Sequence, residues 1–143
     1  MAFYTTGFTA TENPISESGI WAAGPGTLAN IQTTGGLAQG SATATDCAAV
    51  LKTPALGANQ YARGTRTNAT NGEAGPGGRI QSATDGSGYY LFARTAQIAL
   101  YRYDDPTGFT QLGATFGTMV AGDIVEVEID GVGLLRNPIV NED

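Results

Sequence analysis

Glu126, Glu128 and Asp130, spaced two apart, are the first place where this sequence offers chemistry. Glycoside hydrolysis needs two carboxyl groups flanking the bond to be cut. Acidic residues at a spacing of two share one face of a strand. The same alternation, with Val125, Val127 and Ile129 between the acids, is what any strand with one buried and one wet face shows. No aromatic platform for a sugar accompanies it, so the acids read as a solvated strand face and the chain is not expected to be an enzyme. Tyr61, Tyr89, Tyr101 and Tyr103, with Arg79 and Arg102, form a second set, a candidate glycan-binding face. A tyrosine ring covers the apolar side of a sugar while its hydroxyl stays hydrogen-bonded. The competing reading makes these residues core and cross-strand pairs. Asp85 and Asp104-Asp105 carry oxygen ligands of the kind calcium takes, in stretches where a turn needs acidic residues anyway. No metal and no other cofactor is expected.

What is missing narrows the chemistry further. The chain has no histidine, so imidazole-assisted nucleophiles and imidazole metal sites have no raw material. Gly75-Pro76-Gly77-Gly78 lacks the lysine and the following helix of a phosphate loop. Cys47 is the single cysteine, which rules out an internal disulfide. The formal net charge is -6, Lys52 is the single lysine and the arginines are scattered, a balance unsuited to nucleic acid. No apolar run reaches the roughly 20 residues of a membrane helix. The start, Met1-Ala2-Phe3-Tyr4, has no basic and apolar leader, so no signal peptide is expected and synthesis in a cytoplasm is.

The elements that must position these residues are strands. Residues 85–131 read as four consecutive antiparallel strands. These run over 89–93, 98–103, 109–116 and 123–129, separated by turn formers such as Asp104-Asp105-Pro106-Thr107-Gly108. On the second of them Ile98, Leu100 and Arg102 share one face, and Ala99, Tyr101 and Tyr103 the other. Upstream, strands are expected over 3–9, 20–22, 29–33, 47–51, 60–67 and 79–82, with 68–78 as the longest loop and one more short strand within 132–136. The small residues of 47–51 suit a tightly packed sheet centre. No stretch carries capped helical periodicity. Short strands at this spacing point to an all-β antiparallel sandwich occupying residues 1–143 as a single domain. Gly supplies 21 of the 143 residues and charged residues 14%, against a usual ~25% charged, which describes a turn-rich, thinly charged globular chain.

The order GYYLF, ALYRY, GFTQLG, VAGDIVEVEIDG resembles the laminin-G-like, concanavalin-A-like jelly-roll domains found in phage structural proteins and carbohydrate-binding modules. FTATENPISESGIW resembles the opening motif of that group, and DCAAVLKTPALGANQYARGTRT its next pair of strands. The resemblance covers most of residues 7–131. It implies a jelly roll, and since such domains continue through further closing strands, this chain is expected to lack the last one or two. Phe3, Tyr4 and Phe8 at one end, and Leu134, Leu135, Ile139 and Val140 at the other, then become the expected assembly interface beside open edges. The implied function is a structural or interaction protein of a virus particle, a phage decoration or head- or tail-associated protein. Its expected partners are other protein subunits, in a homo-oligomer or a capsid or tail lattice, and its expected location is the virion. The alternative is a carbohydrate-binding or adhesin module with a surface glycan as partner. Nucleic acid and membrane are not expected partners.

Overall fold

Branched and aromatic residues alternating with small or polar ones draw this chain into short strands, eleven among the described residues, with no helix. The computed structural model describes residues 4–43, 45–54, 57, 59–67, 74–80, 82–94, 97–130 and 134–136, with the backbone alone for Arg94, Asp130 and 134–136. The fold is all-β, built from several largely antiparallel sheets. The chain divides into two compact units, Met1–Gly57 with Ile80–Ser87, and Ala58–Arg79 with Gly88–Asp143.

The first unit holds β1 (Trp21–Ala23), β2 (Ala29–Thr34), β3 (Leu37–Gly40) and β4 (Cys47–Leu51), in the order β1-β4-β2-β3. The small-residue strand β4 lies inside the sheet, as its composition suggests, with Ala48 and Val50 buried. It pairs antiparallel with β1 but parallel with β2, through Ala29↔Cys47 and Asn30↔Ala48. Gly35 and Gly36, at φ 58° and 83°, turn β2 into β3, a conformation that favours glycine. β3 is exposed along its length, and its four residues carry no branched or aromatic signal beyond Leu37, so the sequence pattern does not mark it as a strand.

The strand expected over residues 3–9 is corrected by the structure. Phe3 lies outside the described residues, and 4–9 form no strand. Phe8 takes φ 50°, which breaks an extended path. The side chains of Tyr4 and Thr6 are instead gathered onto Glu17.

The second unit holds β5 (Gln60–Thr65), β6 (Gly77–Gly78), β7 (Gly88–Arg94), β8 (Gln97–Asp104), β9 (Gly108–Phe116), β10 (Ile124–Asp130) and β11 (Leu134–Arg136). They form a three-stranded sheet, β11-β10-β5, and a four-stranded sheet, β6-β7-β8-β9. One core serves both. Leu91, Ala93 and Ile98 from the larger sheet meet Val125, Val127 and Ile129 from β10, with Met119 among them and Tyr89 and Phe116 packed against the group. The alternation read over residues 124–129 is therefore real, since Val125, Val127 and Ile129 are buried while Glu128 is exposed.

A second correction concerns residues 79–82. No strand forms at Arg79, Ile80 or Ser82, and Gln81 lies outside the described residues. Pairing occurs just upstream, where Gly77 and Gly78 face Tyr90 and Tyr89. A Cβ on Gly78 would stand 2.8 Å from Ile129 Cδ1, so the side-chain-free backbone is what brings β6 this close to the core. Arg79 then leaves the sheet at φ 51°, its N–H donating to Gln60 Oε1 at 2.6 Å.

Candidate functional site

The six residues expected to make a glycan face do not share one. Tyr61 stands on β5 in the three-stranded sheet. Tyr89 and Arg102 lie opposite each other across β7 and β8. Alternation along β8 puts Tyr101 and Tyr103 on the other face from Arg102. Arg79 lies past the end of β6. Among the described residues, polar and aromatic side chains gather instead in three main places, each with its own partners.

The first is the polar face of β5 and β10. Register places Arg63 opposite Glu126 and Tyr61 opposite Glu128. Tyr61 OH donates to Glu126 Oε1 at 2.7 Å, and Arg63 Nε lies 3.2 Å from the same oxygen. The hydrogen bond to Glu126 raises the Tyr61 pKa above 10.0, with burial and the carboxylate charge adding in the same direction and Arg63 opposing. Glu126 is thereby committed to two neighbours on the adjacent strand. The side chain of Asp130, third in the acidic series, lies outside what is described.

The second place is an aromatic array on β7, β8 and β9. Alternation brings Tyr90 and Phe92, Tyr101 and Tyr103, and Phe109 to one face. Phe109 is the hub, with ring centroids 4.7 Å from Tyr103, 5.0 Å from Phe92, 5.6 Å from Tyr90 and 6.2 Å from Tyr101. These are the separations at which tilted and edge-to-face rings attract. Tyr90 and Tyr103 are buried, and Phe92, Tyr101 and Phe109 half-buried. Tyr101 OH reaches Gln111 Oε1 at 3.2 Å, and Gln111 Nε2 donates to Gly113 O at 3.0 Å. The glycan-face expectation includes Tyr101 and Tyr103 but misses Tyr90, Phe92, Phe109 and Gln111. The period-two pattern of GYYLF and GFTQL could have supplied all four.

The third place is the Glu17 carboxylate in the first unit. It accepts hydrogen bonds from Tyr4 OH at 2.7 Å, from Thr6 Oγ1, and from Trp21 Nε1 at 2.6 Å. Burial alone would raise the Glu17 pKa, but the three donors outweigh it and hold the carboxyl below its ordinary 4.5. Phe8 and Tyr4 both lie against the Trp21 ring, at 6.2 and 6.1 Å. Of the expected assembly residues, Tyr4 and Phe8 thus have partners within their own unit. Phe3, Ile139 and Val140 lie outside the described residues, and Leu134 and Leu135 are on β11 opposite Asp130 and Ile129.

The acidic turns have local partners as well. Asp85 accepts from the hydroxyl and the backbone N–H of Ser87, and these bonds lower its pKa. Asp104 pairs with Arg102 at 2.7 Å, and Asp105 accepts from Tyr103 OH at 2.9 Å. Among the described residues no three His, Cys, Asp or Glu side chains gather as a metal site.

The sheet edges are the remaining feature. Among the described residues no strand pairs with the outer side of β3 or of β9. Neither strand contains a charged residue, although β9 is nine residues long. No protein-family model, curated protein or solved structure matches the chain.

Proposed function

We propose that this chain is a structural interaction protein that docks on, or assembles into, a larger lattice of protein subunits. In this reading it is a virus-particle component, of the kind represented by phage decoration and head- or tail-associated proteins, and its sheets belong to a jelly-roll sandwich. The observation that carries the proposal is the pair of uncharged edges on β3 and β9. Folded proteins blunt exposed edges with lysine, proline or inward charge to prevent pairing with other chains. Neither edge strand uses lysine, proline or charge, β9 stays regular from Gly108 to Leu112 ahead of its bulge, and main-chain hydrogen bonds offered by such an edge are a recurrent source of affinity. Sedimentation and negative-stain microscopy of the purified protein test the reading. Discrete oligomers, or decoration of a particle, support it, and a monomer throughout the accessible concentration range overturns it.

A carbohydrate-binding or adhesin function is the second reading, favoured by one arrangement. Phe92, Tyr101 and Phe109 are half-buried and in mutual ring contact, with the Gln111 amide beside them. Rings and an amide are the groups with which a protein covers and orients a sugar. Glycan-array binding that disappears in Tyr101→Ala would favour this reading over the first.

A further inference from the structure

We propose that β9 is a homotypic docking edge, adding antiparallel to β9 of a second copy of this chain so that the two four-stranded sheets become one. The inference rests on the assembly reading and names its contact.

Register defines how much of β9 is available. From Gly108 to Leu112 it pairs residue for residue with β8, ending with Leu100↔Leu112. The next pair is Ile98↔Phe116, so the single residue Ala99 of β8 stands against three of β9, Gly113, Ala114 and Thr115. Gly113, at φ 79°, begins the irregular stretch, and a bulge of this kind bends an edge away from a partner. The regular part, Gly108–Leu112, is five residues long with Thr110 at its centre. A two-fold axis through Thr110 gives the largest overlap.

The occupant follows from charge and pairing. Two copies of a chain of net charge -6 repel each other overall. Like charges directly opposite each other in a ladder are destabilising. β9 is uncharged throughout, so self-pairing there opposes no like charges. In the proposed register Thr110 faces Thr110 of the second copy, a favourable cross-strand pair. Phe109 faces Gln111, so each copy sets its aromatic hub beside the amide that holds the other's Tyr101. A C2 contact of this form is isologous and closed, and it caps the edge instead of propagating a fibre.

The test uses the full chain. Analytical ultracentrifugation gives the dissociation constant of the native protein and of Thr110→Lys. In parallel, Thr110→Cys in a Cys47→Ser background is oxidised and analysed for a disulfide-linked dimer. The expected result is a native dimer, weakened at least tenfold by Thr110→Lys with an unchanged circular-dichroism spectrum, and a dimer cross-linked through the introduced thiol in the second variant. If Thr110→Lys fails to fold, the cross-link decides alone. A native oligomer that is unaffected by Thr110→Lys and gives no cross-link overturns the β9 contact while leaving the assembly reading intact. A native monomer overturns both.

Discussion

Trp21 Nε1 donates to Glu17 Oε2 at 2.6 Å, and Glu17 holds φ 44° while doing so. Ser18 follows at φ 61° and Gly19 at φ 88°. A run of positive φ at non-glycine residues costs backbone energy, on the order of 1 kcal/mol or more each. Local bonds offset it. Glu12 Oε2 accepts the backbone N–H groups of Ser16 and Glu17, each at 2.8 Å, and Glu17 collects Tyr4, Thr6 and Trp21. The N-terminal segment is tied to β1 through the Glu17 carboxylate and through ring contacts of Tyr4 and Phe8 with Trp21.

Glu17→Gln should therefore loosen the first unit. Glutamine offers one acceptor oxygen where the carboxylate offers two, and its amide presents a donor to donors. Hydrogen bonds to a charged group are worth roughly 1.5–3 kcal/mol when buried. Partial exposure reduces this, and about 1–2 kcal/mol is the expected loss. Trp21 is the sole tryptophan of the chain, so urea unfolding followed by its fluorescence reads the change. An unchanged midpoint would remove Glu17 from this role.

Acid and alkali should release the same contacts in turn. The Glu17 pKa is depressed, so its contribution is complete above the ordinary value of 4.5 and is lost as pH falls through the lower folded value. The Tyr4 pKa is raised, chiefly by its hydrogen bond to Glu17, so that bond persists below 10.0 and is lost as pH rises through the higher folded value. Trp21 emission should shift in both windows and remain flat between them. Glu17→Gln should abolish the acid change. If the acid shift persists in that variant, another group is responsible.

What can be read from sequence follows side-chain periodicity. β4, β7, β8, β9 and β10 are legible because residues such as Ala48 and Val50, or Val125 and Val127, alternate with wetter neighbours. Two features have no such signature, and a third carries it without forming a strand. β6 is Gly77-Gly78, where close approach to Ile129 matters and no side chain announces it. The parallel pairing of β2 and β4 joins residues far apart in sequence, which periodicity along one strand cannot reveal. Residues 4–9 alternate like a strand, but hydrogen bonds to Glu17 and the φ of Phe8 override the pattern. Tyrosine identity also suggests one aromatic face, where alternation on β7 sends Tyr89 and Tyr90 to opposite sides.

Glycine substitutions should separate close approach from mere flexibility. A Cβ on Gly75 would stand 1.8 Å from Leu91 O, a backbone atom that cannot swing aside. Gly75→Ala should destabilise by about 1–3 kcal/mol, the usual cost of forcing atoms into a packed site. Gly64 on β5 has nothing within 4 Å of its would-be Cβ. Gly64→Ala should be neutral or stabilising by up to about 1 kcal/mol. Equal effects in thermal unfolding would contradict this contrast.

The Tyr61–Glu126 bond has a spectroscopic signature. Glu126→Gln replaces the carboxylate whose hydrogen bond, and after it whose charge, raises the Tyr61 pKa, so Tyr61 should titrate closer to 10.0 in that variant. Glu128→Gln, at an exposed position, should leave Tyr61 unmoved and stability within about 0.5 kcal/mol. Carbon NMR of ring-labelled tyrosine follows the individual titrations. A Tyr61 titration that ignores Glu126→Gln would break the assignment.

Phe109 should prove the most coupled ring of the second unit. It contacts Tyr90, Phe92, Tyr101 and Tyr103, whereas Phe116, on the same strand, packs against the aliphatic core. Replacing either by leucine keeps apolar bulk, so the transfer cost is similar and the difference reports on ring–ring attraction. Each ring pair adds roughly 0.5–1.5 kcal/mol beyond area burial. Phe109→Leu should therefore cost about 1–2 kcal/mol more than Phe116→Leu, since four pairs at partial exposure do not sum fully. In the double variant Phe92→Leu/Phe109→Leu, the pair at 5.0 Å is lost only once. Its destabilisation should fall short of the sum of the singles by about 0.5–1 kcal/mol. Strict additivity in denaturant unfolding would mean that the rings fill space without specific attraction.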